Sequence, residues 1–166
     1  MRLLSRVLSV MKNGVRNAHF LDELAIEKGG VGKIGKGFFD DKTLLIYFSS
    51  SWCPSCKIFT PKLKKVYEEA VKENVPLEVL WVSRDRTDAD LLKYYNSKLP
   101  AFAYFPFGSP QIAEFLTRYE IKTIPAIRLV NSTGRVVSDA VRMPIEKAEN
   151  GDAPKLIEHW KGLVKT

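Results

Sequence analysis

Cysteine and histidine are scarce: the 166 residues hold two of each. A structural zinc centre takes four Cys or His ligands, and His19 and His159 stand isolated, in no paired ligand spacing, so no such set is assembled. So few cysteines also exclude the dense disulfide framework that staples small secreted domains. No apolar run approaches the roughly 18 residues that a membrane span needs. Charge is not of one sign either, since 26 basic and 19 acidic residues are interleaved to a net +7. That reads as solvated surface rather than as a nucleic-acid stripe, and no nucleic-acid partner is expected. More than half of the excess sits in the first 37 residues, which carry seven basic and three acidic side chains. A hydrophobic content of 45% suits a single core, enough to bury about two-thirds of the unfolded surface without help from a cofactor.

What is there is a pair. The only cysteines stand two residues apart in Trp52-Cys53-Pro54-Ser55-Cys56-Lys57, directly after the apolar run Leu44-Leu45-Ile46-Tyr47-Phe48. A buried strand that turns into a helix leaves its first helical amides unpaired and aimed at one spot, where a thiolate is stabilised. A free thiol titrates near about 8.5, and in a C-x-x-C turn at a helix start it falls to roughly 3.5–7.5. Cys53 is therefore the expected nucleophile, ionised and accessible. Cys56, one turn further in and turned from solvent, is the expected resolving thiol. Pro54 suits the first helical turn, where its missing amide costs nothing.

Leu3, Leu4, Val7, Leu8, Met11, Val15 and Ala18 recur at helical spacing, with Arg2, Arg6, Lys12 and Arg16 largely elsewhere and no acid before Asp22. An acid-free amphipathic start of this kind is similar to a mitochondrial transit peptide, while Arg6 interrupts the apolar run too early for a secretory signal. The preferred expectation is a helix packed on the domain of a cytoplasmic protein, with mitochondrial import as the alternative. The segment Gly29-Gly30-Val31-Gly32-Lys33-Ile34-Gly35-Lys36-Gly37 matches a dinucleotide fingerprint by letter. It precedes a strand instead of following one, and Gly37 stands where a P-loop needs Ser or Thr, so a flexible turn is expected.

Downstream the pattern alternates. A helix from about Ser55 to Lys72 turns Ile58, Phe59, Leu63, Val66, Tyr67 and Ala70 inward, and Pro61 is expected to kink it. There follow a strand Leu77 to Val82, a helix Asp88 to Ser97, an extended segment Phe102 to Phe107 and a short helix Pro110 to Arg118. Two strands, Ala126 to Val130 and Arg135 to Ala140, join through the turn Asn131-Ser132-Thr133-Gly134, which also absorbs the glycosylation sequon at Asn131. A last helix runs from about Ala153 to Leu163. The expected fold is α/β with a central mixed sheet.

In Tyr47-Phe48-Ser49-Ser50-Ser51-Trp52-Cys53-Pro54-Ser55-Cys56, Phe59-Thr60-Pro61, Asp85, Tyr94-Tyr95, Leu99-Pro100, Phe105-Pro106-Phe107 and Ile124-Pro125, the sequence resembles the thioredoxin superfamily, and within it the tryparedoxin and nucleoredoxin branch, over roughly residues 43–142. The resemblance implies a three-layer α/β/α sandwich, the domain being taken as residues 29–166, while the helical spacing noted above makes residues 1–28 an N-terminal amphipathic helical extension. It implies a cis-Pro125 facing the cysteines, which frees the Ile124 backbone to pair with an extended substrate. Ordinary thioredoxins carry an aspartate where this chain has Tyr47, a poor base at neutral pH, so Asp85 becomes the candidate proton acceptor for Cys56. Trp52 is expected to offer an apolar platform beside the nucleophile, Pro54, Ile124 and Pro125 to complete a docking groove, and Lys57 to add positive charge.

Three departures stand out: Ser55 replaces a second proline between the cysteines, Ala101-Phe102 stands where a tryptophan is usual, and Arg84 precedes Asp85. Ser55 is expected to alter the redox poise, and Phe102 and Arg84 the substrate surface. The activity implied is reduction of protein disulfides by thiol–disulfide exchange, in a monomer with no cofactor or metal. Its expected partners are disulfide-containing proteins, peroxiredoxins or signalling proteins among them, and an upstream thiol reductant. The alternative is a redox-regulated binding module of signalling partners with little turnover. A peroxidase is disfavoured, because peroxiredoxins set their cysteine in Thr-x-x-Cys and here Ser50-Ser51-Trp52 precedes Cys53.

Overall fold

The apolar run before the cysteines forms a strand with every residue buried, as a strand covered on both faces must be. In this computed structural model, which describes residues 17–166, it is the third of seven strands. They are β1 (Glu27–Lys28), β2 (Gly32–Lys33), β3 (Thr43–Ser49), β4 (Leu77–Ser83), β5 (Ala103–Tyr104), β6 (Ala126–Val130) and β7 (Val136–Ser138). The helices are α1 (Pro54–Lys72), α2 (Asp88–Lys98), α3 (Pro110–Arg118), α4 (Arg142–Lys147) and α5 (Ala153–Lys165). The amphipathic stretch from Leu3 to Val15 lies outside the described residues.

The strands form one mixed sheet in the order β2-β1-β5-β4-β3-β6-β7. At its centre β3 runs parallel to β4, Tyr47 opposite Trp81, and antiparallel to β6, Phe48 opposite Ala126. Alternation along β3 sends Leu45 and Tyr47 to one face and Leu44, Ile46 and Phe48 to the other. The first face is covered by α1, α2, α4 and α5 through Phe59, Leu63, Tyr94, Ile145 and Trp160. The second is covered by α3 through Phe115 and by the stretch before β3, which contributes Leu21, Ile26 and Phe39. Helices on both faces of a mixed sheet make the expected α/β sandwich.

Four local features differ from the sequence reading or extend it. Ile58 is 70% exposed, not inward, because the buried stripe Cys56, Phe59, Leu63 and Val66 places it a helical step of about 100° away from the core. α1 continues through Pro61 to Lys72. The extended segment 102–107 pairs only at Ala103 and Tyr104, since Pro106 cannot donate to a ladder. The glycine-rich segment folds back as the β1–β2 hairpin, and β1 then pairs with β5, Glu27 opposite Tyr104.

Two polar devices hold the periphery. Lys28 Nζ donates to Tyr67 Oη (2.8 Å), to Glu78 Oε2 (3.1 Å) and to the Ala101 carbonyl, so the hairpin is tied to a carboxylate that is itself buried. In the β6–β7 turn, Asn131 Oδ1 accepts from the amides of Thr133 and Arg135, both at 3.0 Å. Gly134 there has φ +81°, and a Cβ would come within 2.7 Å of Phe20, so both conformation and space require glycine.

Candidate active site

At the end of β3 the chain turns through Ser50, Ser51 and Trp52 and enters α1. Cys53 is the N-cap in extended conformation (φ −86°, ψ 114°), with Pro54 in the first turn. The Cys56 amide donates to Cys53 Sγ at 3.1 Å, so the sulfur does the work that Ser or Asp does at other helix starts. No acidic residue occupies the first turn, and Lys57 does. The positive helix end therefore acts on this sulfur unopposed. The two cysteines are joined as a disulfide with Cα atoms 5.2 Å apart, inside the usual range of about 4.4–6.8 Å.

The sulfurs are unequal, though less so than expected. Cys56 is fully buried and Cys53 keeps only 4% of its surface, against the accessible thiol that the sequence suggests. Part of the cover comes from across the sheet: Cys53 Sγ lies 3.7 Å from the Ile124 carbonyl oxygen. The Ile124–Pro125 bond is cis, as the resemblance implied. Trp52 beside the pair is 51% exposed. Its Nε1 donates to the Arg84 carbonyl at 3.4 Å and the Arg86 guanidinium lies 5.8 Å from its ring. Cys53, Cys56, Trp52, Pro54, Ile124 and Pro125 are thus brought to one place.

Asp85 is hydrogen-bonded through both carboxylate oxygens. Its Oδ1 accepts from the Ser51 amide (3.0 Å) and the Ser51 hydroxyl, and its Oδ2 accepts from the Ser83 hydroxyl at 2.7 Å. The Asp85 amide in turn donates to Ser83 Oγ at 2.9 Å. The carboxylate, 8% exposed, therefore ties the end of β4 to the turn that carries the cysteines. Tyr47 lies fully buried under α1, its hydroxyl 2.6 Å from Thr60 Oγ1, which is in turn 2.9 Å from Tyr94 Oη. Burial raises the Tyr47 phenol well above its ordinary range, so it stays protonated at neutral pH. The Ser51, Ser83 and Tyr94 partners escape sequence reasoning. Thr60, four residues after Cys56, was readable as a neighbour on the same helix face.

Of the departures, Ser55 and Arg84 are exposed beside the pair. Phe102 is not: it is fully buried, edge-on to Tyr67 at 4.9 Å, and so belongs to the core instead of the substrate surface. Among the described residues, no group of three or more His, Cys, Asp or Glu is placed to hold a metal, and no helix is long and apolar enough to cross a membrane.

A model of thioredoxin-like domains matches residues 40–136. The chain belongs to the thioredoxin-like family. Within this family of redox enzymes it matches the tryparedoxin and nucleoredoxin branch. Tryparedoxin of Trypanosoma brucei brucei is 32% identical over 123 residues, 72% of this chain and 83% of that protein. "Probable nucleoredoxin 1" of Arabidopsis thaliana is 38% identical over 101 residues, 61% of this chain, which spans only 17% of that longer protein. Among solved structures, thioredoxin from Wuchereria bancrofti superposes with a TM-score of 0.71 at 30% identity, over 87% of this chain and 99% of that one. The thioredoxin-like fold thus extends well beyond the residues matched by the family model.

Proposed function

We propose that this thioredoxin-like chain reduces disulfide bonds in proteins by thiol–disulfide exchange. The observation that carries the reading is the Cys53 sulfur at the α1 start, receiving the Cys56 amide and facing the Ile124 carbonyl. With the pair reduced, the Cys53 thiolate attacks one sulfur of a substrate disulfide, and the other substrate sulfur leaves as a thiolate. Cys56 then loses its proton and attacks Cys53, expelling the second substrate sulfur and leaving the chain as its disulfide. An upstream thiol reductant supplies the two electrons that restart the cycle. Trp52, Pro54, Ile124 and Pro125 border the mixed disulfide, and the Ile124 backbone beside the sulfur suits pairing with an extended substrate. Asp85 contributes by holding Ser51 and hence the turn, through bonds accepted at both of its oxygens.

Reduction of insulin by dithiothreitol, with and without the protein, tests this. Acceleration that disappears in Cys53→Ser is expected. No acceleration, or acceleration that survives the substitution, rejects the reading. A second reading, redox-regulated binding of signalling partners with little turnover, is favoured by the 4% exposure of Cys53. A Cys56→Ser variant separates the two: a reductase accumulates mixed disulfides with proteins of a cell extract, whereas a non-catalytic binding module accumulates none.

A further inference from the structure

The wall of the dithiol turn continues into a groove between α1 and α2, a cavity of about 680 Å³ rimmed by Ser51. Four lysines line it, Lys57 and Lys64 from α1 and Lys93 and Lys98 from α2, against the single carboxylate of Asp90. Among the described residues, only Lys64 of the four has an ion-pair partner, Glu68 at 3.9 Å, a separation that screening by water makes weak. The floor is different in kind: Thr60, Pro61 and Tyr94, with the Thr60 and Tyr94 hydroxyls bonded to each other at 2.9 Å and turned to the interior. The groove therefore has cationic walls over a largely satisfied, partly apolar base.

The other large cavity, at the opposite end of β3, shows what an ordinary surface depression of this chain looks like. Its lining alternates in sign, Asp40 and Asp41 beside Lys42, Lys161 and Lys165. The groove beside the dithiol instead sets four lysines against one carboxylate, and Lys57 links it to the cysteine pair directly, since its amide donates to the Cys53 carbonyl at 3.2 Å.

We infer that this groove binds an acidic peptide segment flanking the target disulfide of a protein substrate. Seven residues separate Lys57 from Lys64, roughly 10 Å at about 1.5 Å rise per residue. An extended segment covers that span with about three residues at roughly 3.3 Å each. Carboxylates at successive positions then meet lysines from both helices while the peptide backbone lies over Pro61 and Tyr94. The assignment deepens the reductase reading, on which it rests, by stating which substrates are preferred: those whose disulfide is followed by Asp or Glu. Clustered cations beside the nucleophile raise the encounter rate of such substrates, and the effect falls as salt screens it.

Two arms test it. In the first, the reduced protein acts on a peptide with one internal disulfide followed by four Glu residues, and on its counterpart with four Gln. The acidic peptide is expected to react about 10-fold faster at low ionic strength, with the ratio shrinking toward one in high salt. In Lys93→Glu/Lys98→Glu the ratio should collapse, while Lys161→Glu/Lys165→Glu, an equal change of net charge at the other cavity, should keep most of it. A ratio near one in the unaltered protein, or equal losses in both double variants, overturns the groove. In the second arm, a cysteine-free Glu peptide is titrated while backbone amide NMR shifts are followed. Shifts centred on Thr60, Tyr94 and Ser97 support the groove, and shifts scattered over the surface or absent overturn it. Because this arm needs no chemistry, failure of the reductase reading, in which neither disulfide is reduced, leaves the groove to be judged by binding alone.

Discussion

The two faces of the sheet are built on different principles. On the face under α3, the core is almost wholly apolar, with Leu21, Ile26, Leu44, Ile46, Phe48 and Phe115 packed together and Tyr119 as its single phenol. On the face under α1, five tyrosines and two tryptophans enter the core, and most bring a hydrogen bond with them: Tyr47 to Thr60, Thr60 to Tyr94, Trp81 to Ser49, Tyr95 to the Phe102 carbonyl. The dithiol sits at the end of the second kind of face. The difference teaches that the dry face supplies cohesion, whereas the hydroxyl-threaded face fixes side chains at defined positions, as a site that must align two sulfurs requires.

Substitutions break this comparison in decreasing order of effect. Phe115→Ala removes a ring that is fully buried and edge-on to Phe105 (4.9 Å), so urea denaturation should show a loss of about 3–5 kcal/mol. Turnover per folded molecule should be unchanged, and a fall in that number would mean that the dry face also shapes the site. Thr60→Val on the other face strips both Tyr47 and Tyr94 of a shared partner and should cost about 1–3 kcal/mol. Here turnover should fall as well, and an unaltered rate would show that the hydroxyl chain has no part in alignment.

Alkaline pH sharpens the contrast without mutation. Burial raises the phenol of every tyrosine in the chain, Tyr104, beside Glu27, to about 12. A phenol raised in the folded state contributes stability that is fully present below its unfolded value, near about 10, and lost as pH climbs through the raised values. The urea midpoint should hold steady from about pH 7 to 9 as far as these phenols are concerned, then drop beyond about 10. A drop with no accompanying ionisation of tyrosine, followed by absorbance, would count against this origin. The smallest effect on stability belongs to Trp52→Ala, within about 0.5 kcal/mol for a half-exposed ring. Its mark should be a several-fold rise in KM for protein disulfides with kcat largely kept, and an unchanged KM would remove Trp52 from the docking surface.

Much of this was legible in the chain. The long elements follow from period and punctuation: the strand built on the apolar run Leu44–Phe48, the helix opened by Pro54, and the helix that begins at Asp88. What escaped has a common cause. β1 and β2 are two residues each and carry no alternation, and β1 exists because it meets β5 some seventy residues on. α4 is six residues with only Ile145 buried, too short for a periodic signal. In the site, the cysteine pair was readable from its spacing after an apolar strand, and Trp52 and Ile124-Pro125 from the resemblance. The tie from Asp85 to Ser51 was not, because the two are 34 residues apart in sequence. The burial of Cys53 and Phe102 likewise depends on what other elements bring over them.

Unequal sulfurs are the centre of the account, and alkylation of the reduced protein measures that inequality directly. Iodoacetamide is applied briefly at pH 7 and the labelled position is read by peptide mass spectrometry. Cys53 should be carboxamidomethylated faster than a cysteine in an unstructured peptide, with Cys56 all but unlabelled. Equal labelling of the two, or a Cys53 rate at or below that of the free peptide, contradicts the account.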